Sequence, residues 1–300
     1  MPDIKNPKSA IPIVLLAGIF WSFGAYVVRH IDQPQLVPWQ YLFTRGIVIF
    51  ILLNVYLYLN EGIKFYKNYL KIGISGLIGG AGLAIAMITF IWSITHTTAA
   101  VTLLCLAAMP FLTALLGFLF LKEKISLTVW ISIIVAAFGI CVMAFGNTEK
   151  NSLMGLIFGI ASALGFSIFS VTLRWRKKTP KFTTVAIAGI FCSAVAILVL
   201  LFNDSNIFIS LKNSSLSALH GFLVCSGLIL FSMKSKYLPA TDLTLLSLTE
   251  VLGGIFWVWL PLFGINEVPS LNTLIGGGII IFAIIFYGYN TKRVLQSRYV

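Results

Sequence analysis

The chain has 300 residues, 59% of them hydrophobic and only 10% charged, with a mean hydropathy of +0.98 and a formal net charge of +12. Soluble domains carry about 25% charged residues, and so few polar side chains could not cover this much apolar surface, so the solvent that fits is lipid. Disorder, nucleic-acid binding and a secreted disulfide scaffold are excluded by the same figures, the last because Cys105, Cys141, Cys192 and Cys225 stand singly inside apolar runs and read as packing residues.

Runs of roughly 20 apolar residues cross a hydrocarbon core of about 30 Å. Ten such runs are expected, near 11–28, 38–59, 72–94, 98–121, 127–146, 153–173, 182–202, 216–233, 241–260 and 271–289. The first follows Lys5 and Lys8, and its exit, Val27-Val28-Arg29-His30, lacks a small-x-small cleavage site, so it reads as a retained span and not a secretory signal. The second holds Phe43-Thr44-Arg45, the fourth Met109-Pro110, and the ninth Asp242, Glu250, Gly253-Gly254 and Trp257. Gly76/Gly80 and Gly155/Gly159 read as close helix-packing faces, and Trp39, Trp130 and Trp175 as interfacial belt residues. The connections are short, the longest polar one lying around Asn203–Ser215.

With the N-terminus in the cytoplasm, seventeen of the 21 Lys and Arg fall on inside segments and three, Arg29, Lys150 and Lys212, outside, leaving Arg45 within a span. That asymmetry places both termini in the cytoplasm, and the expected location is a bacterial inner membrane, crossed many times. Ten spans divide as five plus five around Asn147–Ser152, and an odd half enters the membrane with inverted orientation. Thr102-Leu103-Leu104-Cys105-Leu106 in the first half resembles Thr244-Leu245-Leu246-Ser247-Leu248 in the second, and the two helices end at Glu123 and Glu267. The expected fold class is therefore an all-α membrane protein of ten transmembrane helices, built as two inverted-topology five-helix repeats over residues 1–147 and 148–300.

Several motifs carry a resemblance. Ala99-Ala100 through Met109-Pro110 to Lys122-Glu123 looks like one copy of a repeat, and Pro239-Ala240 through Glu250 and Phe256-Trp257-Val258-Trp259 to Glu267 like the second. Together with Gly18-Ile19-Phe20-Trp21-Ser22 and Phe43-Thr44-Arg45, the chain resembles the EamA family of ten-helix carriers in the drug/metabolite transporter superfamily. It departs from the pattern in having Val251 where a proline usually follows the glutamate, and a longer Pro261–Asn266 exit. The resemblance implies a two-lobed bundle with a substrate cavity lined by helices 1–4 and 6–9. It also implies peripheral helices 5 and 10, where relatives form protomer contacts, so that a homodimer is one implied arrangement.

Ionisable side chains inside a span cost about 3 kcal/mol at the centre and mark function or pairing. Glu250 lies about 15 Å into its span and Arg45 about 10 Å below the opposite face. Either they pair and pin two helices, or they face a cavity where Arg45 forks onto a substrate carboxylate and Glu250 holds a cation or proton. Trp21 and Trp257 are deeper than belts require, and Trp257 shares a helix face with Glu250; both are expected on the cavity wall, suiting a cationic or zwitterionic substrate. Pro110 in one half and Gly253-Gly254 in the other are expected to break their helices around the site. Asp242 reads as a first-turn residue complementing its helix dipole, and His96 and His220 as satisfied interfacial histidines. No Walker loop, zinc motif or nucleophile–base set is present, so neither cofactor nor metal is expected and the chain is not read as an enzyme. The expected function is a secondary transporter moving a small organic metabolite, an amino acid or related zwitterion first, by alternating access and as an exporter. The alternatives are an exporter of amphiphilic cations or drugs, or a non-transporting intramembrane enzyme or scaffold. The partners are then the substrate and the bilayer, with no nucleic acid.

Overall fold

Lipid offers no partner to a backbone N–H or C=O, so an apolar run that enters it satisfies those groups within its own helix. The computed structural model describes residues 10–122, 127–145, 153–176 and 178–298. Glu123, the Asn147–Ser152 midpoint and the termini carrying Lys5 and Lys8 lie outside the described residues. The regular elements are helical: α1 (Ala10–Arg29), α2 (Pro38–Glu61), a 3-10 turn (Gly62–Tyr66) leading into the short α3 (Lys67–Leu70), α4 (Gly73–His96), α5 (Ala99–Leu106), α6 (Met109–Leu121) and α7 (Leu127–Phe145). They continue with α8 (Leu153–Trp175), α9 (Lys181–Phe202), α10 (Leu211–Lys234), α11 (Ala240–Ser247), α12 (Thr249–Trp259) and α13 (Leu271–Arg298). Among the described residues, eight stretches are long and apolar enough to cross a membrane, with α5–α6 and α11–α12 each counting as one. Two further apolar helices, Leu127–Met143 and Leu271–Phe286, are shorter.

Three local features depart from the expected spans. The fourth is interrupted at Ala107–Ala108, where Ala108 N–H bonds to Cys105 O (3.0 Å) in place of the α-helical partner. The ninth is interrupted at Leu248, whose N–H bonds to Leu245 O (3.2 Å). Such i→i−3 bonds tighten one turn and change the helix direction. The eighth begins at Leu211, earlier than its apolar pattern suggests, because Ser210 caps it by accepting from Asn213 N–H (3.2 Å). Asn213 turns inward and brackets the Asp32 backbone, accepting from its N–H and donating to its carbonyl at 3.0 Å each. A stretch that reads as polar loop is thereby a helical turn with a buried amide.

The principal packing pairs are α4 with α8, α1 with α10, α2 with α9 and α7 with α13. α4 also packs on α9 and α10 on α2, while α8 lies against α5 and α6, and α1 against α11 and α12. The α2–α9 and α7–α13 pairs cross at facing glycines. A methyl on Gly46 would lie 2.6 Å from Gly189 O, and one on Gly139 2.7 Å from Gly276 O, so only glycine lets these backbones approach so closely.

One end of the bundle is closed by a charged clamp. Arg29, at the last residue of α1, donates to Glu267 through Nε (2.8 Å) and Nη2 (3.3 Å), to Ile94 O (2.7 Å) and to Thr97 O (2.8 Å). Glu267 in turn accepts from Ala99 N–H at 2.7 Å, and its own N–H bonds to Val258 O at 3.1 Å. The guanidinium thus meets the negative end of α4 and the carboxylate the positive end of α5, each complementing a helix dipole.

Candidate functional site

The helix breaks of α5–α6 and α11–α12 flank a small cavity of about 70 Å³. α1 contributes Trp21, α2 Arg45, and α4 Leu83, Ala86, Met87 and Phe90. Leu106 and Met109 border the first break, Ser162 and Phe166 come from α8, His220, Val224 and Leu228 from α10, and Glu250 from α12. Glu250 stands two residues after the second break, where the reoriented helix turns its carboxyl into the cavity.

Trp21 is 5% exposed and held by its Nε1 donating to Val224 O (3.1 Å), by an edge contact to Phe166 (5.5 Å) and by a tilted ring contact to Phe231 (5.7 Å). Arg45 is 2% exposed; its Nη2 donates to Met87 O at 2.7 Å, and its buried Nε finds no hydrogen-bond partner among the described residues. Among the described residues no hydrogen bond or ion pair reaches the Glu250 carboxyl, and none joins it to Arg45. A guanidinium with spare donors and a carboxyl with spare acceptors therefore share one chamber, walled by Trp21, Phe90, Phe166 and two methionines. Unsatisfied polar groups in such surroundings are costly, and a ligand that completes them recovers that cost.

The structure brings Arg45, Glu250 and Trp21 to the same cavity, sets Pro110 beside a break that borders it, and leaves Trp257 and Gly253-Gly254 elsewhere. Trp257 is not on its wall. Its Nε1 donates to Ser22 Oγ (3.0 Å) and its ring stacks on Phe23 (4.8 Å between centroids), bracing α12 against α1. Seven residues keep it on the face of Glu250 but about 10 Å further along the axis. Gly253 and Gly254 do not break the helix; they lie inside α12 and admit Ser22 and Leu103, whose side chains a methyl group would meet at 2.7 Å. The break falls instead at Leu248. Pro110 occupies the first turn of α6, just past the first break, a position where its missing N–H costs nothing.

His220 lies deeper than the interfacial position expected for it. It is 2% exposed in the cavity wall, with Nδ1 2.7 Å from Tyr41 Oη and its ring edge-on to Phe90. The signal was there in Ser210: a cap at that residue starts α10 early and carries His220 about 14 Å into the bundle. Ser162 and Phe90 carried no such signal, being one serine and one phenylalanine among many. Among the described residues no group of three His, Cys, Asp or Glu could hold a metal ion.

Fold and cavity together define a class: a multi-pass helical membrane protein with a central, mixed polar and aromatic chamber. Over residues 8–145 the chain matches the EamA-like transporter family, the resemblance read from its motifs. It is 27% identical over 167 residues to an uncharacterized transporter of Helicobacter pylori (strain J99 / ATCC 700824), a match covering 55% of this chain and 54% of that protein, so it spans about half of that relative's length. It is also 27% identical over 223 residues to the uncharacterized transporter YdfC of Bacillus subtilis (strain 168), covering 70% of this chain and 69% of that one. A protein solved by crystallography shares the fold, with a TM-score of 0.61 at 17% identity over 94% of this chain and 97% of its own.

Proposed function

We propose that this chain is a secondary transporter that moves a small zwitterionic metabolite, an amino acid or a close relative, by alternating access and in the direction of export. The observation that carries the reading is that Arg45 and Glu250 line one chamber without pairing with each other. A ligand carboxylate can take the guanidinium donors in a fork, and a ligand ammonium can take the Glu250 carboxylate. The aromatic and thioether wall suits an apolar side chain, and favours amphiphilic cations as the second reading through Glu250 and the ring faces.

The architecture proposed with it is ten spans in two inverted repeats, residues 1–147 and 148–300, with both termini in the cytoplasm of a bacterial inner membrane. Support comes from the packing. Exchanging each helix of one half for its counterpart turns α4–α8 into α10–α1 and α4–α9 into α10–α2, and maps α2–α9 and α7–α13 onto themselves, each at facing glycines. Two interrupted helices at corresponding positions, facing a common site, are the arrangement from which rocking carriers are built. In proteoliposomes loaded with unlabelled amino acid, labelled amino acid should accumulate by counterflow. Its absence across a panel of zwitterions, alongside counterflow of a quaternary ammonium compound, would replace the first reading with the second. Inside-out vesicles test direction, and a purified protein that exchanges no solute at all contradicts transport.

A further inference from the structure

The sequence explains the Lys and Arg of the connections as an orientation signal, and that signal requires only that they lie on one side. It does not require them to converge. Yet Lys71, from the connection before α4, and Arg176 and Lys178, from the connection after α8, line one open recess of about 400 Å³ with Ile72, Gly73, Ser75 and Thr179. Among the described residues no carboxylate lines it. Its floor is fixed: Ser75, in the first turn of α4, and Thr179, in the α8–α9 connection, are buried and share a hydrogen bond (2.5 Å), and Thr179 N–H bonds to Arg176 O (3.1 Å) to set the turn. α4 begins here without a side-chain cap, so its first amides add to the positive field of the three cations.

The level of the recess indicates what reaches it. Trp175, 42% exposed, has Arg176 stacked over its ring (5.6 Å), a pairing that suits the polar–apolar boundary. On the other side of Lys71, the segment Gly62–Leu70 carries exposed Ile63, Tyr66 and Leu70 interspersed with Lys64 and Lys67, the pattern of a segment lying in the interface. We propose that this recess is a binding site for a phosphate group at headgroup depth, supplied by an anionic phospholipid. The bilayer would thereby tie the α3–α4 connection to the α8–α9 connection through Lys71, Arg176 and Lys178. The inference is independent of the transport reading.

The test uses the full-length protein in nanodiscs of phosphatidylcholine with a minor fraction of cardiolipin or phosphatidylglycerol, and counts lipid retained after extraction by native mass spectrometry. The wild type should retain the anionic lipid over phosphatidylcholine at least tenfold. Lys71→Gln with Arg176→Gln should remove that preference, while Lys64→Gln with Lys67→Gln, equal in charge but outside the recess, should keep it within twofold. Equal loss in both pairs would reduce the effect to general surface charge and overturn the site, as would the absence of any preference in the wild type. Titration of the detergent-purified wild type with inorganic phosphate, followed by phosphorus NMR, distinguishes the source. Saturable binding there without lipid retention would make the ligand a soluble phosphate and overturn the lipid assignment. If the first pair fails to fold, Lys178→Gln alone, in an exposed position, should lower retention at least threefold, and an unchanged value would overturn the site.

Discussion

Two arginine–glutamate sets sit in the same bundle and behave in opposite ways. At the closed end, Arg29 and Glu267 are linked to each other, and every further bond of their side chains goes to the backbone where α4 ends or α5 begins. In the cavity, Arg45 spends one donor on Met87 O, leaves Nε bare, and does not reach Glu250. The end clamp commits four of the five guanidinium N–H groups, and its work is to hold three helix termini together. The cavity set retains unused donors and acceptors in a place where they are expensive, which is the condition expected of a site completed by something else.

If that contrast is right, the clamp governs stability and the cavity set governs binding. The largest effect is expected from Arg29→Ala, which strips the clamp and strands the Glu267 carboxylate. Unfolding in detergent should show a loss of about 2–3 kcal/mol, below the 3–5 kcal/mol of a fully buried pair because the two side chains keep 19% and 18% of their surface accessible. A loss under about 0.5 kcal/mol would demote the clamp to an ordinary surface ion pair. Next comes Trp257→Phe, which removes the bond to Ser22 and should cost about 1 kcal/mol while leaving ligand affinity within twofold. A tenfold drop in affinity would return Trp257 to the cavity wall that its spacing from Glu250 suggested. The smallest effect is expected from a stability cycle of Arg45→Gln and Glu250→Gln. Without ligand, the double variant should match the sum of the singles to within about 0.5 kcal/mol. Coupling of 1 kcal/mol or more would mean the two charges already pair at rest.

The sequence made the helices legible because lipid imposes a length and forbids charge, and both show in a single pass along the chain. Arg45 and Glu250 were legible for the same reason: a charge in an apolar run stands out. The breaks were only partly so. Gly253-Gly254 drew attention as a flexible pair, but the glycines serve the close approach of Ser22 and Leu103, while the break at Leu248 carries no residue that marks one. His220 was misplaced because hydropathy, not capping, set the expected start of its helix. The Arg29–Glu267 clamp was out of reach altogether, since its partners are 238 residues apart and neither lies in a motif with the other.

The account rests on Arg45 and Glu250 receiving the two ends of one ligand, and equilibrium binding to the folded variants tests that most directly. An amino acid that raises the unfolding temperature of the wild type, as binding to the native state must, should lose at least tenfold in affinity in Arg45→Gln and in Glu250→Gln separately. The same ligand with its carboxylate amidated should bind Arg45→Gln as well as it binds the wild type, because the partner it lacks is already gone. Undiminished binding of the intact amino acid to both folded variants would place the ligand elsewhere and contradict the assignment of this cavity.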